Sequence, residues 1–122
     1  MSTERDQLYA DIFTTACEGG INYWAGIDAY CWRMPDGTED LMDFCAEIEC
    51  SDRPDEHGQH LYLIDRSVID RGYKKACVEF SHYGWSTTPP PVRVDEDTDW
   101  DYDAGDADMI VQIGLFGDVV FG

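Results

Sequence analysis

The sequence predicts a single α+β domain in which about three helices pack with a small antiparallel sheet of about two to four strands. Two observations support this prediction. Segments with helical or strand-like patterns follow one another in the order α, β, β, short β, α, α. The chain has 122 residues, which is enough for one hydrophobic core and too few for two. We therefore expect residues 1–122 to form one domain.

The first third of the chain predicts a helix followed by two strands. Apolar residues recur at helical spacing from about residue 4 to 18, and Gly19 and Gly20 supply a helix stop. Residues Ile21–Trp32 are rich in aromatic and branched side chains, which favours a strand. Turn-forming residues at Met34–Gly37 then reverse the chain.

The returning strand has the clearest alternation in the sequence. One face is apolar and the other carries two glutamates, so we expect one face to pack and the other to meet water. The apolar set is Phe44, Ala46, Ile48 and Cys50, and the opposite set is Cys45, Glu47 and Glu49. Residues 60–64 are long enough for a third, short strand.

Two further helices are predicted towards the C-terminus. Asp65 stands at an N-cap position before a helix at about 66–80. Gly72 inside that helix is unfavourable for helix formation, which indicates that another backbone passes close by. Asp106 can cap a third helix that ends at Gly117.

The chain is strongly acidic, with a formal net charge of −18. Residues 35–60 hold nine acidic and one basic side chain, residues 95–122 hold nine and none, and residues 61–94 hold three and five. This charge repels nucleic acid and anionic membranes, so it argues against direct binding to either. The expected partners are cations and basic proteins.

The segment Val94–Asp108, VDEDTDWDYDAGDAD, is the most acidic stretch, and we call it the acidic run. Its alternating aspartates, if extended, share a face at about 6.6 Å spacing, roughly two 3.4 Å steps of a DNA strand. We predict that it binds a basic partner together with the glutamates of the returning strand and acids of the next loop, with Trp100 and Tyr102 as interface anchors. The predicted acidic contacts are Asp95, Glu96, Asp97, Asp99, Asp101, Asp103, Glu47, Glu49, Asp52, Asp55 and Glu56.

Other interpretations of the acidic run remain open. It can be a solvated loop that is partly neutralised by the basic residues of the second helix, Arg66, Arg71, Lys74 and Lys75. Adaptation to high salt also spreads carboxylates over a protein, although five cysteines are unusual for that habit.

Calcium is a further alternative, because Asp99, Asp101 and Asp103 have the spacing that opens an EF-hand loop. The pattern then fails. Glycine falls at Gly105 instead of one residue earlier, and Ile110 stands where the final glutamate is needed.

Zinc binding and catalysis have weaker support. Cys45, Cys50, His57 and His60 lie within one segment, but their spacings fit no standard zinc finger. Cys17 near the end of a helix is poorly placed for a reactive thiolate. We therefore predict no metal site, no cofactor, no catalytic residues and no enzymatic activity.

A second hypothesis for function is a small-molecule binder that sequesters a nucleotide signal. On a strand, Tyr23 and Trp24 point to opposite sides, so one of them faces away from the core. The guanidinium groups of Arg66 and Arg71, at the start of the second helix, are suited to bind the phosphate of a nucleotide.

Three short segments, EGGINYWA, IDRSVIDRG and DADMIVQIGLFGDVVFG, resemble a family of small uncharacterised acidic proteins encoded by bacterial viruses, especially those of actinobacteria. The resemblance implies a viral origin and transfers no site residues. It favours a small inhibitor of host machinery over the salt-adapted interpretation.

The leading hypothesis combines charge and resemblance. It is a non-enzymatic, DNA-mimic-like protein that inhibits a basic nucleic-acid-binding host protein, such as a restriction, CRISPR or repair component. The N-terminus lacks a signal-peptide pattern, no stretch is long and apolar enough for a membrane span, and the odd number of cysteines forms no disulfide framework. We therefore expect it in the cytoplasm, which for a viral protein is that of the host cell.

Overall fold

The structure, a computed structural model, describes residues 4–33, 43–50, 58, 60–79, 90–95, 98 and 100–121. Within these residues it contains three α-helices and a three-stranded antiparallel sheet, which confirms the predicted α+β class. The helices are α1 (Glu4–Thr15), α2 (Arg66–Val78) and α3 (Ala104–Phe116), and the strands are β1 (Gly26–Arg33), β2 (Asp43–Glu49) and β3 (Leu61–Asp65). The predicted turn at Met34–Gly37 lies outside the described residues.

The sheet has the strand order β1-β2-β3, and the helices cover one of its faces. The predicted alternation of β2 is confirmed, since Phe44 and Ile48 are buried while Glu47 and Glu49 are exposed. The ring of Phe44 lies 4.4 Å from that of Phe13 in α1, measured between centroids. The glutamates of β2 therefore point away from the helical layer.

The segment before β1 differs from the prediction. Helix α1 continues as a π-helical turn over Ala16–Gly20, and Ile21–Ala25 forms a further turn instead of a strand. The carbonyl oxygen of Ile21 accepts hydrogen bonds from the backbone N–H groups of Trp24 and Ala25, both at 3.0 Å. These local bonds keep the chain coiled, so the strand begins only at Gly26.

Glycines allow α2 and α3 to pack closely. A Cβ atom on Gly72 would lie 2.0 Å from the carbonyl oxygen of Ile110, and one on Gly114 would lie 2.1 Å from that of Val68. The predicted close backbone approach at Gly72 is therefore confirmed, and the contact is reciprocal.

The helix ends follow local chemistry, with one correction. The carboxylate of Asp65 accepts a hydrogen bond from the backbone N–H of Val68 at 3.1 Å, as expected of an N-cap. Helix α3 is capped by Asp103, and Asp106 is the third helical residue of a capping box. The prediction that Asp106 is the N-cap of this helix is therefore wrong. Gly117 ends α3 in the left-handed conformation, with φ of 81°.

Candidate functional site

The segment that precedes α3 is fixed against α1 and α2 by aromatic residues. Trp100 is 8% exposed, and its ring makes an edge contact with Tyr73 of α2 at a centroid distance of 5.9 Å. The hydroxyl of Tyr102 donates to the carboxylate of Asp11 in α1. The guanidinium of Arg5 donates to the carbonyl oxygen of Val92 at 2.8 Å. These contacts hold the described residues between 90 and 102 along one side of α1.

A cavity of about 400 Å³ opens between α1 and this segment, and we call it the acidic groove. Three carboxylates stand around it, and its described lining contains no lysine or arginine. Apolar and aromatic side chains form the remaining wall. The lining residues are Glu4, Gln7, Leu8, Asp11, Val94, Asp95, Thr98, Trp100 and Tyr102.

The Tyr102 phenol is the hydrogen-bond donor to Asp11 at the groove. Burial, reinforced by the hydrogen bond to Asp11, raises the pKa of the Tyr102 phenol. The phenol therefore stays protonated at physiological pH and donates a hydrogen bond to the Asp11 carboxylate. This bond holds the Asp11 carboxylate at the edge of the groove.

The described aspartates of the acidic run do not form an extended row. The backbone N–H of Thr98 bonds to the carbonyl oxygen of Asp95 at 3.1 Å, so the chain turns there. Asp95 lines the groove, Asp101 is exposed and Asp103 caps α3. The hydrogen bond between Thr98 and Asp95 is typical of a turn and not of an extended strand, which counts against phosphate-like spacing at the start of the run. Glu96, Asp97 and Asp99 lie outside the described residues.

The two aromatic anchors have different surroundings. Trp100 belongs to the core of its own chain, and only the small exposed part of its ring lines the groove, which counts against its predicted role as an interface anchor. Tyr102 is half-buried and lines the groove. Sequence alone gave no signal for this difference, because a loop has no periodicity that tells an inward side chain from an outward one.

The second acidic segment lies elsewhere. Glu47 and Glu49 occupy the open face of the sheet, whereas the groove is built on α1, which packs on the opposite face. Their described side chains therefore form separate surfaces, and the expected continuous surface of two rows is not formed by them. Asp52, Asp55 and Glu56 lie outside the described residues.

The basic residues of α2 bind other groups of the chain. Arg66 pairs at 2.7 Å with Asp6, a buried carboxylate of α1. The guanidinium of Arg71 donates to the carbonyl oxygen of Gly114 at 3.1 Å.

Two lysines complete this pattern. Lys74 pairs with Asp70 at 3.0 Å, and Lys75 lies 4.0 Å from Glu79. Among the described residues, the ion pairs of α2 therefore do not reach the acidic run, which counts against neutralisation by this helix. The cation that meets the run is Arg93, 3.7 Å from Asp95, and its side chain is 90% exposed, so it screens little.

Tyr23 and Trp24 contact a buried carboxylate that the sequence did not single out. Asp108 is 4% exposed. It accepts hydrogen bonds from the Trp24 indole N–H and the Tyr23 hydroxyl, both at 2.7 Å, and from the Gln112 amide at about 3.0 Å. Tyr23 is 60% exposed and Trp24 is 7% exposed. The two side chains point in different directions, as predicted, but because they lie in a turn and not in a strand. We call Tyr23, Trp24, Asp108 and Gln112 the Asp108 cluster.

The Asp108 cluster also holds the C-terminal segment. The side-chain oxygen of Gln112 accepts hydrogen bonds from the backbone N–H groups of Val120 and Phe121, both at 2.8 Å. The ring of Phe121 stacks on Trp24 at a centroid distance of 5.1 Å. Burial raises the pKa of Asp108, although its three donors act in the opposite direction. The arrangement fits a structural latch.

The structure describes some of the residues considered for metal binding. No group of three or more His, Cys, Asp or Glu side chains within the described ranges is arranged to hold a metal ion. Cys50 is buried, and the ring of His60 faces the backbone carbonyl of Cys50 at 3.3 Å. His57 and Asp99 lie outside the described part of the chain.

No helix in the described part of the chain is both long enough and apolar enough to cross a membrane. Comparisons with protein-family models, curated proteins and solved structures found no match to this chain. The resemblance to a viral family therefore stays a prediction. The geometry of the acidic groove is therefore the feature from which a function can be inferred.

Proposed function

We propose that this chain is a non-enzymatic acidic binding protein whose target is a basic nucleic-acid-binding protein. The observation that carries the proposal is the acidic groove, where Glu4, Asp11 and Asp95 surround a cavity whose described lining contains no basic side chain. A net charge of −18 adds long-range attraction for such a target. It also repels nucleic acid itself.

The groove suits an arginine or lysine side chain of the target. Its volume of about 400 Å³ lies in the range of ordinary ligand pockets, about 300–1,000 Å³. The cationic head would meet the carboxylates, and its aliphatic stem would lie along Leu8 and Val94. Tyr102 offers an aromatic edge beside that stem. The groove therefore combines charge with apolar contact, which a solvated acidic loop lacks.

Nucleic-acid-binding surfaces are the favoured targets because they present arginine and lysine side chains for phosphate. In this proposal the protein competes by clustered negative charge at a shaped groove, without an evenly spaced row of carboxylates. The resemblance to small viral proteins supports a counter-defence role in which the target belongs to the host. Restriction, CRISPR and repair proteins are the candidate classes.

The nucleotide-binding alternative has less support. Arg66 is committed to a buried carboxylate, and Arg71 binds the last turn of α3. Trp24 is buried, and the Tyr23 hydroxyl binds Asp108. A phosphate ligand would have to break these contacts, so each of the four predicted residues has a structural role that opposes it.

Displacement of DNA tests the proposal. Purified basic DNA-binding proteins would be loaded with fluorescent duplex DNA, and the acidic protein would be added at increasing concentration. We expect displacement that weakens steeply between about 50 and 200 mM salt. A basic protein that does not bind nucleic acid, such as lysozyme, serves as the specificity control.

A matched pair of charge variants locates the site. The groove variant is E4Q/D11N/D95N, and the control variant, E18Q/D28N/E79Q, removes the same charge from exposed positions elsewhere. We expect the groove variant to bind at least about tenfold more weakly and the control to change by less than about threefold. Equal losses in both variants would reduce the groove to non-specific charge and contradict the proposal.

A further inference from the structure

The open face of the sheet carries an apolar row beside an acidic row. On β3, Leu61 and Leu63 are 42% and 53% exposed, although large aliphatic side chains are usually buried. On β2, Glu47 pairs across the strands with Leu63, and Glu49 pairs with Leu61. We call these four residues the leucine-glutamate face.

The spacing of these rows fits one secondary-structure element. Adjacent strands lie about 4.8 Å apart, and a helix with its side chains is about 10 Å across. A helix along the strands would therefore contact both rows at once. Its apolar stripe would cover Leu61 and Leu63, and cations at the edge of that stripe would reach Glu47 and Glu49.

Charge decides which occupant fits. A second copy of this chain would bring another net charge of −18 and would place its own glutamates near Glu47 and Glu49. Such a dimer would bury like charges, which is costly. The residues that pair with Glu47 and Glu49 across the strands are Ala29 and Gly26 in β1 and Leu63 and Leu61 in β3, and none of these is a lysine or arginine. An apolar helix without cations would leave both carboxylates desolvated and unpaired.

We propose that the leucine-glutamate face docks a cationic amphipathic helix of a protein partner. The face lies on the side of the sheet opposite α1, the helix that forms one wall of the acidic groove. It therefore gives the protein a second binding surface whose existence does not depend on the groove.

A synthetic peptide provides a defined probe. It has about 18 residues, with leucine on one helical face and lysine on the others. A scrambled peptide of identical composition, in which leucine no longer forms a stripe, is the matched control. Backbone NMR shifts would map each peptide on the ¹⁵N-labelled protein. We expect the amphipathic peptide to shift β2 and β3 residues and to bind at least about tenfold more tightly than the scrambled one.

Variants separate the two rows and the two surfaces. L61S/L63S should lower the affinity for the amphipathic peptide at least about tenfold. Because both leucine side chains are exposed, we expect the variant to fold. E47Q/E49Q should lower the affinity for this peptide about threefold or more and make that affinity less dependent on salt concentration. The groove variant E4Q/D11N/D95N should change it by less than about threefold.

Three results would overturn the proposal. These are shifts confined to the acidic groove, equal affinity for the scrambled peptide, or a dimer in sedimentation that L61S/L63S abolishes. The last would identify a second copy as the occupant. Failure here would leave the DNA-displacement test intact, because that test depends on Glu4, Asp11 and Asp95.

Discussion

Both halves of the acidic run are rich in aspartate, but the aspartates of the two halves have different surroundings. Asp95 stands at the acidic groove and Asp101 is exposed to water. Only a few residues later, Asp103 caps α3 and Asp108 is buried among three hydrogen-bond donors. The neighbours of each carboxylate decide its role, because a helix start or a buried indole converts a surface charge into a structural acceptor.

This comparison limits what acidic composition can say about partner binding. Asp103, Asp106 and Asp108 are used within the chain, so they cannot be counted with the charges offered to a target. In the proposed function, the target meets the part of the run that lines the acidic groove beside α1. The contrast yields measurable differences between nearby positions of the same residue type.

The largest expected effect is the loss of the buried acceptor. Asp108→Ala leaves the Trp24 indole N–H without its partner, whereas Tyr23 and Gln112 keep their bonds to the Phe121 carbonyl oxygen. A buried unsatisfied donor together with the lost acceptor should lower the free energy of unfolding by about 2–4 kcal/mol. Urea unfolding followed by circular dichroism measures it. Asp101→Ala is the matched surface control, and an equal loss there would contradict the division of the run.

The next effect tests the seating of α3, on which the buried half depends. Gly114→Ala would place a Cβ atom 2.1 Å from the carbonyl oxygen of Val68, so α3 must move away from α2. Overpacking of this kind costs about 1–3 kcal/mol in unfolding free energy, despite the better helix propensity of alanine. Gly26→Ala is the control, because a Cβ atom there meets nothing within 4 Å. A neutral Gly114→Ala would show that the helices separate without cost.

A smaller effect distinguishes Asp101 from Asp103, which lie two positions apart in the sequence. The Asp103 carboxylate accepts a hydrogen bond from the backbone N–H of Asp106 at 2.9 Å, and this is the cap of α3. Asp103→Ala should lower the unfolding free energy by about 1 kcal/mol. Asp101 makes no hydrogen bond or ion pair with a described residue, so Asp101→Ala should change it by less than about 0.5 kcal/mol. Both values come from urea titration.

Features set by local chemistry were predictable from the sequence. The β2 alternation, the Asp65 cap, the Gly117 stop and the close approach at Gly72 were all confirmed. Each depends on the residue itself or on a repeat of a few residues. The partner at Gly72 could not be foreseen, because it is Ile110 on a distant helix.

Features set by distant contacts were missed. Trp24 looked like a strand residue, but its indole binds Asp108, 84 positions away. Trp100 looked like an exposed anchor because acidic residues surround it in sequence, yet its ring packs on Tyr73. The groove was half predicted. Asp95 was named, whereas Glu4 and Asp11 belong to a helix whose polar face carried no distinguishing signal.

The smallest expected effect is a pH dependence of the unfolding free energy that comes from the buried carboxyl group of Asp108. Burial raises the pKa of Asp108 above its value in the unfolded chain, despite its hydrogen bonds. The folded state therefore binds this proton more readily, and the contribution of Asp108 to the unfolding free energy falls as pH rises through the folded-state pKa. Urea unfolding at steps from about pH 4 to 7 should show that the stability of the wild type relative to Asp108→Asn decreases with pH. If the relative stability instead increased with pH, the hydrogen bonds from Tyr23 and Trp24 would outweigh burial, and Asp108 would act as a charged anchor of the latch.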